Sequence, residues 1–224
     1  MFYFRGTRKP DFSRVEKIDY DEYWRTRGFT MRGKLMEREE IFFRWILEGA
    51  KVLDIGCGNS RLLWELQQKK HCQCAGLDRS SVVLEGQRQA GIKVYSADIE
   101  ESGFNLTENY DYIILSEVLE HLRQPEDLIK KLTPHTKNFA LSVPNSAFYR
   151  YRAGLMFSGR FFTQWASHPS EHLRYWSHID FLDWLKAQRL DVTACEASNG
   201  FWLKNLWPNM FGHQICYLAK TGKS

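Results

Sequence analysis

No stretch of this 224-residue sequence stays apolar long enough to cross a bilayer, which takes about 20 such residues. Its start, Met1-Phe2-Tyr3-Phe4-Arg5, lacks an apolar run of signal-peptide length, so the expectation is a cytoplasmic protein. Cysteine is scarce: five residues, an odd number without framework spacing, which points to reduced thiols. Internal repeats, low-complexity tracts and linker-like stretches are missing, so the length suits one domain with its own core. Strong charge of either sign is absent as well. A formal net charge of +4 permits an anionic substrate and argues against a nucleic-acid partner. Aromatic side chains, by contrast, are plentiful at 15%, and they gather before residue 50 and after Asn145.

One glycine is missing where it matters. Val52 to Ile55 read as a short buried strand, Gly56 and Gly58 allow a tight turn and close approach of a ligand, and Leu62, Leu63 and Leu66 recur at helical spacing. Strand, Gly-x-Gly turn and helix make a nucleotide cradle, because free N–H groups and a partial positive charge face the turn. A dinucleotide fingerprint wants a third glycine where Arg61 stands. The acid Asp54 inside the strand also speaks against NAD or FAD and suits a cationic or amino-bearing ligand.

Further acids close the next strands. Cys72 to Leu77 reads as a second strand, with Cys72 and Cys74 on one face as core side chains rather than metal ligands. Asp78 ends it, at the interval where an acid meets ribose hydroxyls; capping the helix from Ser80 is its other reading. Lys93 to Ala97 is a third strand, closed by Asp98-Ile99. Tyr112 to Leu115 is a fourth, buried on both faces. Ser116-Glu117-Val118-Leu119-Glu120-His121-Leu122 follows at its carboxyl end, where open α/β sheets place ligands. If the stretch is helical, Glu117, Glu120 and His121 share a face and suit a divalent metal or acid–base chemistry. Pro125 opens a fresh helix, and Phe139 to Val143 is a fifth strand. Ser177-His178-Ile179-Asp180 is a capping box. Asp191 to Ala197 and Gln214 to Ala219 close the chain as two strands, while Asn199 to Phe211 between them carries no assignment. Tyr20, Tyr23 and Trp24, then Ile41, Phe42, Trp45 and Ile46, fall at helical spacing before the cradle. They lie either over a ligand site or on the sheet edge.

From about Lys51 to Leu190 the chain resembles class I S-adenosylmethionine (SAM)-dependent methyltransferases of the methyltransferase type 11 and MetW-like kind. The residues that carry the likeness are Asp54-Ile55-Gly56-Cys57-Gly58, Leu77-Asp78, Ala97-Asp98, Ser116 to His121 and Val143-Pro144-Asn145. The resemblance implies an α/β, Rossmann-like fold with a seven-stranded, mostly parallel sheet, one antiparallel strand and helices on both faces. It implies SAM as cofactor, held by Asp54, Gly56, Cys57, Gly58, Asp78, Asp98, Ile99 and Ser116. Residues 1–49 then form a helical segment over the cofactor site. Residues 50–224 form the methyltransferase domain, with a substrate lid at about 146–176. The lid's other readings are a stabilising flap or a surface for a homodimer or an enzyme partner.

A narrower likeness, to metal-dependent 2′-O-methyltransferases of small RNAs and to ubiquinone O-methyltransferases, rests on Glu117-x-x-Glu120-His121 and His172. It implies a divalent ion held by Glu117, Glu120, His121 and His172, or failing that His121, His172 and Glu117 as the catalytic groups. The expected activity is O-methylation of a small hydroxyl-bearing acceptor, anionic or sugar-linked. The anionic character is argued from Arg150, Arg152, Arg160 and Arg174 of the lid. The alternative is a MetW-like SAM-binding partner or regulatory subunit of a biosynthetic acyltransferase, without methyl transfer of its own.

Overall fold

A computed structural model of the chain describes residues 19–159, 161 and 171–222. The strands are β1 (Lys51–Ile55), β2 (Gln73–Asp78), β3 (Lys93–Ser96), β4 (Tyr110–Ser116), β5 (Thr136–Pro144), β6 (Leu190–Gly200) and β7 (Gly212–Thr221). They form one seven-stranded sheet in the order β3-β2-β1-β4-β5-β7-β6. Strands β1 to β5 pair in parallel. Only β7 runs against its neighbours β5 and β6. This is the sheet the sequence led us to expect. Strands β4 and β5 start earlier than their apolar runs, because Tyr110 and Thr136 already pair.

Alternation along the strands fills two cores. Leu53, Ile55, Ile113 and Leu115 face one side with Leu128 and Ile129 of α5 (Pro125–Leu132) and Phe181 and Leu185 of α7 (His178–Ala187). Val52, Tyr112 and Ile114 face the other, against Leu62, Leu63 and Leu66 of α3 (Leu62–Lys70) and Val83 of α4 (Ser81–Gln89). A parallel sheet survives only when both faces are covered this way. Cys72 and Cys74 belong to this second core, and all five cysteines are free thiols. Truncating Phe181, fully buried between sheet and helix, to alanine should cost about 3–5 kcal/mol.

Before β1 come α1 (Tyr20–Arg27) and α2 (Glu37–Trp45). Helix α2 sends Ile41 and Phe42 into the second core and packs on β6 and β7. Helix α1 takes another course. Asp19 caps it, and Asp21 accepts hydrogen bonds from Ser80 Oγ and Ser81 Oγ, both at 2.7 Å. That ties α1 to the start of α4, over the carboxyl edge of the sheet.

After β5, Asn145 is 1% exposed and works as a clamp. Its Nδ2 donates to the carbonyl of Gly212 at 2.7 Å, and its Oδ1 accepts from His178 N at 3.3 Å. It therefore joins β5, α7 and the β6–β7 connection, whose last turn is α8 (Pro208–Phe211). Ser177 and Asp180 form the reciprocal cap at the start of α7. Of the expected lid, the described part is α6 (Tyr149–Ser158) and residues 159, 161 and 171–176. Arg160 and residues 162–170 lie outside the described residues, as do residues 1–18.

Candidate active site

Two cavities sit at the carboxyl edge and share Trp24 and Gly56 in their walls. The larger, of about 200 Å³, is lined by Tyr20, Tyr23, Asp78, Asp98, Ile99, Glu117, His121 and Glu171, among others. The smaller, of about 70 Å³, is lined by Arg32, Arg38, Glu39, Asp54, Cys57, Gly58 and Ser116.

The turn between β1 and α3 needs its glycines. Gly56 has φ +73°, and a Cβ there would lie 2.7 Å from Val118 Cγ2. Gly58 has φ +49°, with Trp24 of α1 closing over it. Asp78 bridges the turn and the next helix: its Oδ2 accepts from Gly58 N at 3.1 Å, and its Oδ1 from Ser80 N at 2.9 Å. Both readings of Asp78, cavity acid and support of α4, are compatible with that geometry. Its carboxyl pKa is raised by burial. Asp98 accepts from Glu100 N and faces Arg79 at 3.6 Å, and Arg79 in turn lies over the Tyr20 ring.

In the smaller cavity Asp54 is 3% exposed and its Oδ1 has no partner. Burial, then the charges of Glu39 and Asp78, push its pKa well up. Arg32 and Arg38 stand across from it, Arg32 paired with Glu39 at 2.7 Å and Arg38 Nε donating to Ser116 Oγ at 3.1 Å. An orphaned carboxylate facing guanidinium groups is what an ammonium–carboxylate pair of a ligand would complete.

Beyond β4 the backbone departs from expectation. A helix through Ser116–Leu122 is not formed; a single 3-10 turn, Leu119–His121, stands there. Glu117 precedes it at φ 58°, in the left-handed region that non-glycine residues rarely occupy. The cause is visible in its bonds: Glu117 N donates to Ser142 O, and Gln214 Nε2 donates to Glu117 Oε2 at 2.7 Å. Glu117 still lines the larger cavity together with His121, and its charge acts on both Glu120 and His121. Of the expected set of Glu117, Glu120, His121 and His172, three come together. Glu120, His121 and His172 bring one ligand atom each within 4.8 Å of one another.

These three are held by main chain. The carbonyl of Glu120 accepts from Leu173 N and Arg174 N at 2.8 and 3.1 Å, which fixes the segment carrying His172. His121 Nδ1 donates to the carbonyl of Glu171. That bond assigns the proton to Nδ1 and leaves Nε2 with a free lone pair. Both oxygens of Glu120 and Nδ1 of His172 are buried without partners. Burial lowers the His121 pKa, and burial with the His121 charge lowers that of His172 to about 3. Burial, then the charge of Glu117, raises Glu120 well above the usual carboxylate range.

The arginine argument for an anionic acceptor finds no support among the described residues. Arg152 donates to the carbonyls of Ala147 and Asn209, Arg174 to that of Arg123, and Arg150 to Tyr149 Oη. None of them lines the larger cavity, which carries Asp78, Asp98, Glu100, Glu117 and Glu171 against Arg79. Arg32, Arg38, Arg79 and Gln214 were not foreseen. They sit in helices, turns or strands without any local signature, and only folding brings them to the edge.

A sheet of this order, with acids at the ends of β1, β2 and β3 and a glycine turn after the first, defines the class I SAM-dependent methyltransferase fold. Residues 37–219 match the model of the family described as methionine biosynthesis protein MetW, and the chain belongs to that family. It is 32% identical over 96 residues to the (S)-tetrahydroprotoberberine N-methyltransferase of Eschscholzia californica, a match covering 39% of this chain and 27% of that protein. It is 32% identical over 89 residues to the ubiquinone biosynthesis O-methyltransferase of Klebsiella pneumoniae, covering 37% and 36%. These matches span only about a quarter to a third of the relatives' length. The magnesium protoporphyrin IX methyltransferase of Synechocystis, solved with bound SAH, shares the fold at TM-score 0.59 and 17% identity, covering 91% of this chain and 94% of that one.

Proposed function

We propose that the chain transfers the methyl group of SAM to the hydroxyl of a small acceptor seated beside His121. The observation that carries this reading is the cluster of Glu120, His121 and His172 next to the glycine cradle, in which both Glu120 oxygens and His172 Nδ1 are buried without partners. SAM fits with its nucleoside in the larger cavity, where Asp78 faces the ribose, Asp98 the adenine amino group, and Ile99 the ring. Its amino-acid end fits the smaller cavity, with Asp54 toward the ammonium and Arg38 toward the carboxylate. The sulfonium then lies between the two, beside Gly56 and Trp24.

In the transfer, the bond from sulfur to the methyl carbon breaks and leaves its electron pair on sulfur. The new bond forms from the acceptor oxygen, whose proton goes to His121 Nε2. The carbonyl of Glu171 holds the imidazole in the right tautomer and steadies the charge it gains. Lining up oxygen, carbon and sulfur turns an encounter into an oriented reaction. The donor set of Glu120, His121 and His172, one carboxylate and two imidazoles with orphaned atoms, also fits a divalent ion. Such an ion would lower the pKa of the acceptor hydroxyl.

A screen of small hydroxyl compounds for formation of S-adenosylhomocysteine tests the reading. His121→Ala should lower turnover by about 10²–10⁴-fold. Asp78→Asn should weaken SAM binding by about 1.5–3 kcal/mol in calorimetry. Unchanged SAM affinity in that variant would rule out the cofactor assignment. Acid side chains around the larger cavity and the N-methyltransferase relatives make amines the second set to screen. A subunit role without turnover, as partner of a biosynthetic acyltransferase, draws on the exposed Met156, Phe157, Trp202 and Leu206. SAM binding with no methyl transfer to either set would favour it.

A further inference from the structure

The transfer leaves one carboxylate beside His121 without a task. Glu117 lines the larger cavity together with His121, and only one of its oxygens is used. Oε2 accepts from Gln214 Nε2 at 2.7 Å, while Oε1 is buried with no partner among the described residues. Neighbours fix that arrangement. Gln214 Oε1 accepts from Asn199 Nδ2 at 2.9 Å, and Asn199 N donates to Glu37 Oε2 at 2.8 Å. A carboxylate only accepts, so the amide of Gln214 turns its nitrogen toward Glu117 and its oxygen toward Asn199. Glu117 and Asn199, one at each end of that amide, both hold left-handed backbone, at φ 58° and 53°. Non-glycine residues keep such conformations only where the surroundings dictate them, and they gather at functional sites.

Three other acids along this cavity are engaged. Asp78 accepts from Gly58 N and Ser80 N, Asp98 from Glu100 N beside Arg79, and Glu100 Oε1 from Arg123 N at 3.0 Å. The orphaned oxygen of Glu117 calls for a donor, and the charge behind it favours a positive one. A hydrogen bond from a cation to a carboxylate is roughly twice as strong as a neutral one. An acceptor bound here would present an ammonium to Glu117 and its hydroxyl to His121. A protonated nitrogen has no lone pair, so the oxygen takes the methyl group and His121 takes the hydroxyl proton.

We propose that Glu117, held in place by Gln214, selects a hydroxyl acceptor that also carries a protonated amine. The inference rests on the methyltransferase reading, and its test separates the two. Full-length protein loaded with S-adenosylhomocysteine is titrated in EDTA with two matched pairs, tyramine against 4-ethylphenol and 2-aminoethanol against 1-propanol. In at least one pair the ammonium compound should bind at least about tenfold more tightly, the effect of one hydrogen bond between charged groups. Glu117→Gln should bring that ratio to within about twofold, and Gln214→Leu should lower it at least about threefold. A ratio within a pair is insensitive to general loosening of the fold, which the melting temperature checks. No preference in either pair, no binding at all, or a preference that survives Glu117→Gln overturns the proposal. An unchanged ratio in Gln214→Leu overturns the positioning role of that residue. Loss of a preference for SAM over S-adenosylhomocysteine in Glu117→Gln would assign the carboxylate to the sulfonium instead. A preference that appears only with Mn²⁺ would assign it to the ion, and a product methylated on nitrogen would also overturn the proposal. Failure of the protein to bind S-adenosylhomocysteine would sink the methyltransferase reading itself.

Discussion

The rings of His121 and His172 meet edge to face, with centroids 4.7 Å apart and planes at 89°. One follows β4 and the other precedes α7, so only tertiary packing brings them together. Glu120, whose oxygens are both unpartnered, brings a ligand atom within 4.8 Å of theirs, and such a set of three should be filled by an ion. Thermal unfolding with added Mg²⁺, Mn²⁺ or Zn²⁺ reads this directly. The parent should gain about 2.7 kcal/mol at a hundredfold excess over Kd. Glu120→Gln, which keeps the volume but loses the charge, should gain little. Equal gains in both would place the ion elsewhere, and no gain in either would leave His121 without one.

Arg38 and Asp54 face each other across the smaller cavity. If Arg38 meets the carboxylate of SAM, the parent should bind SAM more tightly than decarboxylated SAM. Arg38→Gln should shrink that preference by about 1.5–3 kcal/mol, the range for a hydrogen bond to a charged group. A preference that survives the substitution would move the carboxylate to another group.

Gly86 lies inside α4, where alanine would ordinarily favour the helix by about 0.8–1.0 kcal/mol. Here a Cβ would stand 1.9 Å from the Phe29 ring. Phe29 packs beside Trp24, at 6.0 Å between ring centroids. Gly86→Ala should therefore displace the segment after α1 and weaken SAM severalfold while leaving the melting temperature nearly unchanged. SAM affinity equal to the parent's would mean that α1 contributes nothing to the cofactor.

His213 accepts a hydrogen bond from Tyr151 Oη at Nε2, 2.7 Å away. Burial, then the charge of Arg150, lowers its pKa to about 4. The unfolded chain then binds more protons between about pH 6.5 and 4, so stability is full above pH 6.5 and is lost as the pH falls through that window. Chemical denaturation at pH 7.0 and 4.5 should show the loss. His213→Asn, which cannot titrate, should show it smaller by up to about 3 kcal/mol. Identical losses would assign the slope to other groups.

The sheet was legible because its signals are local. Val52 to Ile55 are apolar and end at Gly56, and a strand buried on both faces has few other readings. Ser177 and Asp180 announce α7 because a capping box needs only neighbours in sequence. The antiparallel turn of β7 followed from resemblance, since nothing in Gln214 to Ala219 fixes direction. Other features had no local carrier. Glu117 lies at helical spacing from Glu120 and His121, yet Gln214 and Ser142 pull it into a left-handed turn. Arg150 and Arg152 look like ligand-binding groups, but the carbonyls and hydroxyl around them use their donors. Arg32 and Arg38 look like surface charges and end facing Asp54. The sequence by itself determined the order of strands and helices and the acids that close them, because those depend on residues within one or two turns. Tertiary structure alone decided which polar side chains converge and which are spent on backbone, because a long side chain goes to whichever unsatisfied partner folding brings within reach.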